Sequence, residues 1–421
     1  MELIAALIFG GALISLAFEW LHRTKIALIG AGLVVLAGLL DFEAAIEAVD
    51  WATVGLLIGM MIIVRITERT GIFTYLALRV GQLSAGRPLR LVLLMAGVTG
   101  VMSAFLDNLT AILMVVPITI SLAEILRVSP IPLIMVEILS SNIGGTATLI
   151  GDPPNIMIGS AVEQIGFLDF IVALAPISIL VLLAASLVMY LMFRGQLVVQ
   201  PENVEEIFRL DPADAIKGKP ALKRSVGVLL GTLLFFFLHQ PLHLEPAVVA
   251  LTGATVLLVV AAQDVEQALD GVEWATIFFF IGLFVMVGAL EHAGIIEEIA
   301  EALGEFTGSS EVVQTTTILW AGAVGSALVD NIPFTAAMIP VVDHIQMSAN
   351  EFEDARWWAL SIGACYGGNA TAIAAAANVA AMGLMERTGH PISFVTFLKV
   401  GIPITLLSLV LGTIYVLLVL L

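Results

Sequence analysis

The sequence predicts an all-α polytopic membrane protein made of two inverted-topology repeats. About ten transmembrane helices, two re-entrant hairpins and broken helices at the midplane are expected. Three observations carry this. Hydrophobic residues make up 60% of the 421 residues and charged residues 12%, where a soluble domain carries roughly 25% charged. The mean hydropathy of +1.06 comes from many separate apolar blocks, several shorter than the ~20 residues that a perpendicular crossing needs. And the chain matches itself at a fixed offset of 223 residues, Asp50 to Glu273, over nearly its whole length.

The match is one of unlike residues in register. Asp50-Trp-Ala-Thr-Val returns as Glu273-Trp-Ala-Thr-Ile, and Glu68-Arg-Thr-Gly-Ile as Glu291-His-Ala-Gly-Ile. Ser103-Ala-Phe-Leu-Asp-Asn returns as Ser326-Ala-Leu-Val-Asp-Asn, with Pro117 on Pro340. Gly144-Gly-Thr-Ala-Thr-Leu-Ile returns as Gly367-Gly-Asn-Ala-Thr-Ala-Ile, and Asn155 falls on Asn378. Chance likeness between apolar helices aligns Leu and Ala, but not Trp, Asp-Asn, Gly-Gly and Pro without a gap. The domains are therefore residues 1–198, a first inverted repeat; 199–223, a cytoplasmic linker; and 224–421, a second inverted repeat.

Within the first repeat, crossings are expected near 3–20, 24–40 and 50–68, followed by an amphipathic stretch at 71–86. The amino-terminal block has no charged start or small-residue cleavage site, so it is expected to remain a helix. Residues 89–126 are apolar but interrupted by Asp107-Asn108. A polar break in an apolar segment predicts a hairpin whose tip lies in a protected or wet cavity. Residues 132–162, interrupted between Gly144 and Asn155, predict a broken helix, and 169–193 a last crossing. Five crossings per repeat, an odd number, invert the second repeat. With the amino terminus outside, 16 of the 17 Lys and Arg fall inside, Arg356 alone falling outside, as the positive-inside rule requires. Both termini are then external and 195–223 cytoplasmic in a bacterial inner membrane.

The single cysteine, Cys365, excludes an intramolecular disulfide framework and a cysteine-rich metal site. Carboxylates in apolar segments are costly and mark function by default. Asp107, Asp152 and Asp330 are the three. Each also reads as a helix cap, Asp152 most of all because Pro153-Pro154 suits a first turn. Its second-repeat counterpart is Ala375. The candidate binding set is Asp107, Asn108, Thr110, Asn142, Gly144, Gly145, Thr146, Thr148, Asp152, Asn155, Asp330, Asn331, Asn369, Thr371 and Asn378. The glycine pairs also read as helix–helix contacts, and Cys365, opposite Asn142 in the repeat, as a packing residue. No Lys or Arg falls in this set, so a neutral polyol-like solute or a small cation suits it better than a multiply charged organic anion.

Phe105-Leu-Asp-Asn108 and Ser141-Asn-Ile-Gly-Gly-Thr-Ala-Thr-Leu-Ile-Gly-Asp-Pro-Pro-Asn155 resemble the P-protein pattern, and Val329-Asp-Asn-Ile-Pro333 the NhaD pattern. The chain thus resembles the ion transporter superfamily, in its branch of ArsB arsenite permeases, P-protein relatives and NhaD-type sodium/proton antiporters. The resemblance implies a dimerising scaffold, a transport domain holding hairpins and broken helices, and elevator-type alternating access. The function expected first is proton-coupled efflux of arsenite or antimonite, with Asp107 and Asp330 coupling protons. A Na+/H+ antiporter, or another small-anion or solute permease, is the alternative. An intramembrane aspartyl protease lacks its Tyr-Asp and Gly-x-Gly-Asp contexts, so no enzyme is expected. No resident cofactor or metal is expected, only H+ or Na+ as coupling ion. The expected partners are membrane lipid, a small inorganic substrate, a second copy of the chain and an ATPase subunit, without nucleic acid.

Overall fold

The computed structural model describes residues 1–18, 20–162, 164–261, 264–348 and 355–421. Glu19, within the crossing expected near 3–20, lies outside the described residues. The first repeat consists of α1 (Glu2–Ala17), α2 (Arg23–Leu36), α3 (Phe42–Glu47), α4 (Trp51–Glu68), α5 (Ile72–Ser84), α6 (Pro88–Leu106), α7 (Asn108–Leu126), α8 (Pro130–Gly145), α9 (Pro153–Ala161) and α10 (Phe167–Phe193). The linker carries α11 (Pro201–Arg209) and a 3-10 turn, Pro212–Ala215. The second repeat consists of α12 (Lys219–Leu238), α13 (Pro246–Val260), α14 (Val265–Leu269), α15 (Trp274–His292), α16 (Ile295–Thr307), α17 (Glu311–Leu328), α18 (Asn331–Ser348), α19 (Ala355–Gly367), α20 (Ala376–Arg387) and α21 (Phe394–Tyr415). Ten helices thus recur in the same order. No strand occurs among the described residues.

Local chemistry sets the boundaries. Asp41, Asp50, Asp264, Ser310 and Ser393 cap the helices that follow them. Proline opens α6, α8, α9, α11 and α13, where its missing N–H removes nothing from the helix. Among the described residues seven helices are long and apolar enough to cross a membrane: α4, α6, α7, α10, α12, α15 and α21 with its π-helical end. Length alone does not recover ten crossings, because the crossings expected at α1, α2 and α13 are short (16, 14 and 15 residues) and those at α8–α9 and α19–α20 are interrupted.

The packing carries a pseudo-two-fold relation. α2 lies along α15 and α4 along α13, each pair the counterpart of the other. α6 packs on α8 as α17 does on α19, and α10 meets its own counterpart α21. The relation also crosses between repeats: α7 packs on α20, and α18 on α9. Each hairpin is therefore seated on the broken helix of the other repeat.

Candidate substrate site

The hairpins turn in one and two residues. α6 ends and α7 begins at Asp107, whose φ of 71° breaks the helix in one residue. Its Oδ1 accepts from the N–H groups of Leu109 (2.8 Å) and Thr110 (3.3 Å), and its Oδ2 accepts from Thr110 Oγ1 at 2.5 Å. Asp330 Oδ1 likewise accepts from Ile332 N at 3.0 Å. Both are caps, as a polar break in a helix requires. The second tip is also tied down by Asn331 N, which donates to Ala374 O at 3.1 Å.

Asp152 departs from the capping expectation. It precedes α9 but makes no side-chain cap. Its Oδ1 instead accepts from Asn108 Nδ2 (3.2 Å) and from Asn331 Nδ2 (3.1 Å). One carboxylate oxygen of the first broken helix thus joins the tips of both hairpins, and its Oδ2 has no partner among the described residues. The proline pair explains the difference. Two prolines in the first turn leave few free N–H groups for a cap to reach, so the side chain turns inward.

A second tie runs between the broken helices. Asn142 Oδ1 accepts from Asn108 Nδ2 at 3.0 Å, while its Nδ2 donates to Asn369 Oδ1 (2.9 Å) and Asn378 Oδ1 (3.1 Å). Asn155 Nδ2 satisfies the carbonyls of Gly145, Thr146 and Thr148 that the first break frees. Asn378 Nδ2 does the same for Gly368 and Thr371. Asn155 Oδ1 in turn accepts from Ser361 Oγ at 2.5 Å and contacts Cys365 Sγ at 3.6 Å. Thr148 and Thr371 donate to Ala104 O and Ala327 O, equivalent positions of the two repeats, and Thr146 donates to Asn142 O. These groups are buried, Asn142, Asp152, Asn155, Asn369 and Asn378 each at 0% exposure. Buried polar groups are tolerable only when so bonded.

The glycines serve contact. A Cβ on Gly144 would lie 2.3 Å from Gly100 O, and one on Gly145 2.5 Å from Gly151 O. These positions hold α6, α8 and the break at backbone distance, and in the second repeat Gly367 does so against Ala323.

Two charged residues at the site were not in the sequence-derived set. Arg23, expected in an inner loop, reaches in from the start of α2. Its Nη2 donates to Thr276 Oγ1 at 3.1 Å, its Nη1 stands 4.0 Å from Asp330 Oδ2, and its guanidinium lies 5.5 Å from the Phe279 ring centre. Glu273, half-buried, accepts from Thr276 Oγ1 at 3.2 Å. Arg23, Glu273, Asp107, Asn108 and Asn331 together line a cavity of about 20 Å³, room for one water-sized particle. The expectation of a site without a basic residue is thereby corrected. Arg23 sits far in sequence from the motifs, and only the pairing of α2 with α15 brings it in. For Glu273 there was a signal, its place in the repeated Asp/Glu-Trp-Ala-Thr motif. Its counterpart Asp50 lies on a wider recess of about 530 Å³, with Ser160, Glu291 and Pro340.

The chain matches the CitMHS citrate transporter family over residues 13–363. It is 38% identical to the 46 kDa membrane protein of Mycobacterium leprae, over 99% of this chain and 98% of that one. The human P protein is 33% identical over 98% of this chain and 59% of its own length. Two solved transporters share the fold: YdaH of Alcanivorax borkumensis, at 14% identity and TM-score 0.61 over 89% of this chain and 87% of that one, and MtrF of Neisseria gonorrhoeae, at 12% and 0.59 over 92% and 84%. The P-protein motifs, the paired broken helices and these relatives agree, and the chain belongs to the CitMHS citrate transporter family of the ion transporter superfamily as a multi-pass membrane transporter.

Proposed function

We propose that the protein is a secondary active transporter exchanging a small cation for protons at the Asp107–Asp152–Asp330 site. The observation that carries this is the charge around the one-particle cavity. Asp107 and Glu273 line it, Asp330 and Asp152 stand behind Asn331 and Asn108, and Arg23 is its one basic residue. Such a surplus of carboxylates favours a cation that competes with H+. The wide recess at Asp50 against the nearly closed space at Glu273 supports alternating access. Elevator movement is supported by the bonded unit of both hairpins and both broken helices, set beside the α2–α15 and α4–α13 pairs. Efflux of arsenite or antimonite is the second reading. As(OH)3 is neutral, small and rich in hydroxyls, and the site's amides and carboxylates suit it. Citrate, named by the family, would set three carboxylates against those of the protein and would have to arrive with bound cations.

Everted vesicles energised with a proton gradient provide the test. The expected result is collapse of the gradient on adding Na+ or Li+, with arsenite uptake and citrate uptake measured in parallel. Uptake of arsenite without any cation response selects the second reading. No response to any of the three overturns proton-coupled transport.

A further inference from the structure

Beside the pseudo-symmetric site, the first repeat carries buried polar groups that have no polar counterpart at the same positions of the second. Glu137, in the middle of α8, is 0% exposed. One of its oxygens accepts from Thr119 Oγ1 of α7, and the other has no partner among the described residues. One turn further along α8, Ser140 Oγ is also buried and unpartnered, and so is Thr99 Oγ1 on α6. The α6–α8 seam brings these levels together. Gly100 packs on Gly144, and a Cβ on Gly100 would lie 3.6 Å from Ser140 O. One turn on, Ser103 Oγ donates to Ser141 O at 2.6 Å, and Gly151 lies against Ser103 O. The next residue is Asp152, whose Oδ2 is the fourth buried unpartnered oxygen of the series.

The second repeat has an apolar counterpart at each of these places. At the fixed offset Thr99 becomes Gly322, Thr119 becomes Val342, Glu137 becomes Leu360, Ser140 becomes Gly363 and Asp152 becomes Ala375. Ser103 alone keeps its match, Ser326, which bonds Ala364 O as Ser103 bonds Ser141 O. Packing therefore does not require the polar residues, since the same seam closes without them. A buried carboxyl bonded to a single hydroxyl is unfavourable to keep unless it is used.

We propose that Glu137, Thr99 and Ser140 form a one-sided proton path from the foot of α8 to Asp152. The proton on the Glu137 carboxyl passes to a hydroxyl oxygen, which releases its own proton onward, and the Asp152 carboxylate receives one. No electron moves and no bond other than O–H is made or broken. Glu137 lies seven residues into α8 from Pro130, about 10 Å at 1.5 Å per residue, and five residues before Asn142. Charges on the helices packed against it stand near their ends: Arg90 on α6, Glu124 on α7 and Asp169 on α10. The same holds for Arg356 on α19, Glu386 and Arg387 on α20, and Lys399 on α21, while Asp107 at the α6–α7 joint bonds Thr110. None of them bonds Glu137. Cys365 contacts Asn155 and also stands beside the Asp152 carboxyl, and Tyr366 is engaged by Ser178.

The path rests on the proton-coupled reading, and its test separates the two. Purified full-length protein in proteoliposomes is compared as wild type, Glu137→Gln, Ser140→Gly and Thr99→Val, the serine variant copying the second repeat. Two readouts are taken: cation uptake driven by a pH gradient, and cation–cation exchange at constant pH. The variants are expected to lose the gradient-driven component and keep exchange at the wild-type rate. Wild-type gradient-driven rates in Glu137→Gln, or in both hydroxyl variants, overturn the path. A wild type without gradient-driven uptake overturns the parent reading instead. The carboxyl infrared band of the protein between acid and alkaline buffers then decides the path alone. A band lost in Glu137→Gln supports a proton site there, and an unchanged band refutes it.

Discussion

Replacing Asp152 with Ala, the residue of the second repeat, removes the acceptor that joins the two hairpin tips. Hydrogen bonds to a charged acceptor contribute about 1.5–3 kcal/mol each and neutral ones about 0.5–1.5 kcal/mol. The two amides bonded to Asp152 Oδ1 are thus together worth about 1–6 kcal/mol. Asn108 Nδ2 retains Asn142, but Asn331 Nδ2 is left buried without its acceptor, which sets the loss in the upper part of that range. Asp152→Ala should therefore lower stability by several kcal/mol, and Asp152→Asn by less, since its carbonyl still accepts both bonds. Thermal unfolding of detergent-purified protein, followed by Cys365 reactivity as the buried thiol becomes exposed, measures the order. A paired-cysteine cross-link between residues 109 and 332 should also become less uniform in the Ala variant. If Asp152→Ala unfolds at the wild-type temperature with an unchanged cross-link, Asp152 does not hold the tips together and the argument fails.

Asp107→Asn and Asp330→Asn should keep the caps, because Asn caps as well as Asp, and fold normally while losing gradient-driven uptake. A double variant that still concentrates substrate would refute coupling through these carboxylates. Arg23→Gln should lower stability by about 1–3 kcal/mol, since it removes the cation that bonds Thr276, stacks on Phe279 and faces Asp330. It should tighten apparent cation affinity in uptake assays by removing a competing charge. Gly144→Ala and Gly363→Ala should each reduce folded yield on size exclusion, because the new methyl would meet backbone oxygen at 2.3 Å and 2.2 Å respectively, overpacking that costs about 1–3 kcal/mol or more. A cysteine placed at the exposed Lys217 should resist impermeant labelling in intact cells and react after lysis; labelling from outside would reverse the assigned topology.

Much of the fold could be read from the offset alone, since Pro, Gly-Gly and Asp-Asn report backbone events rather than hydrophobicity. The helix joint at Asp107 and the breaks before Asn155 and Asn378 lie where those residues stand. The site was half legible. Asn and Asp inside apolar segments announce themselves and Glu273 stands in a repeated motif, whereas Arg23 lies at a helix start, where charge is ordinary, and only the α2–α15 pairing brings it to the cavity. Asp152 was visible but its role was not. An Asp before Pro-Pro has the composition of a cap, and only the position of Asn108 and Asn331 shows that it faces the other way.

The amide network sets a timing problem for synthesis. Asn142, Asp152 and Asn155 emerge with the first repeat, yet their partners Asn369, Asn378, Asn331 and Ser361 belong to the second. At about 5–20 residues per second a ribosome needs roughly 10–45 s to translate the intervening repeat. Through that interval the nascent first repeat holds polar side chains at membrane depth without their final acceptors. Half a chain, whether truncated or stalled, is then a natural substrate for membrane quality control. Only after residue 378 has left the ribosome can the protein first close its own centre.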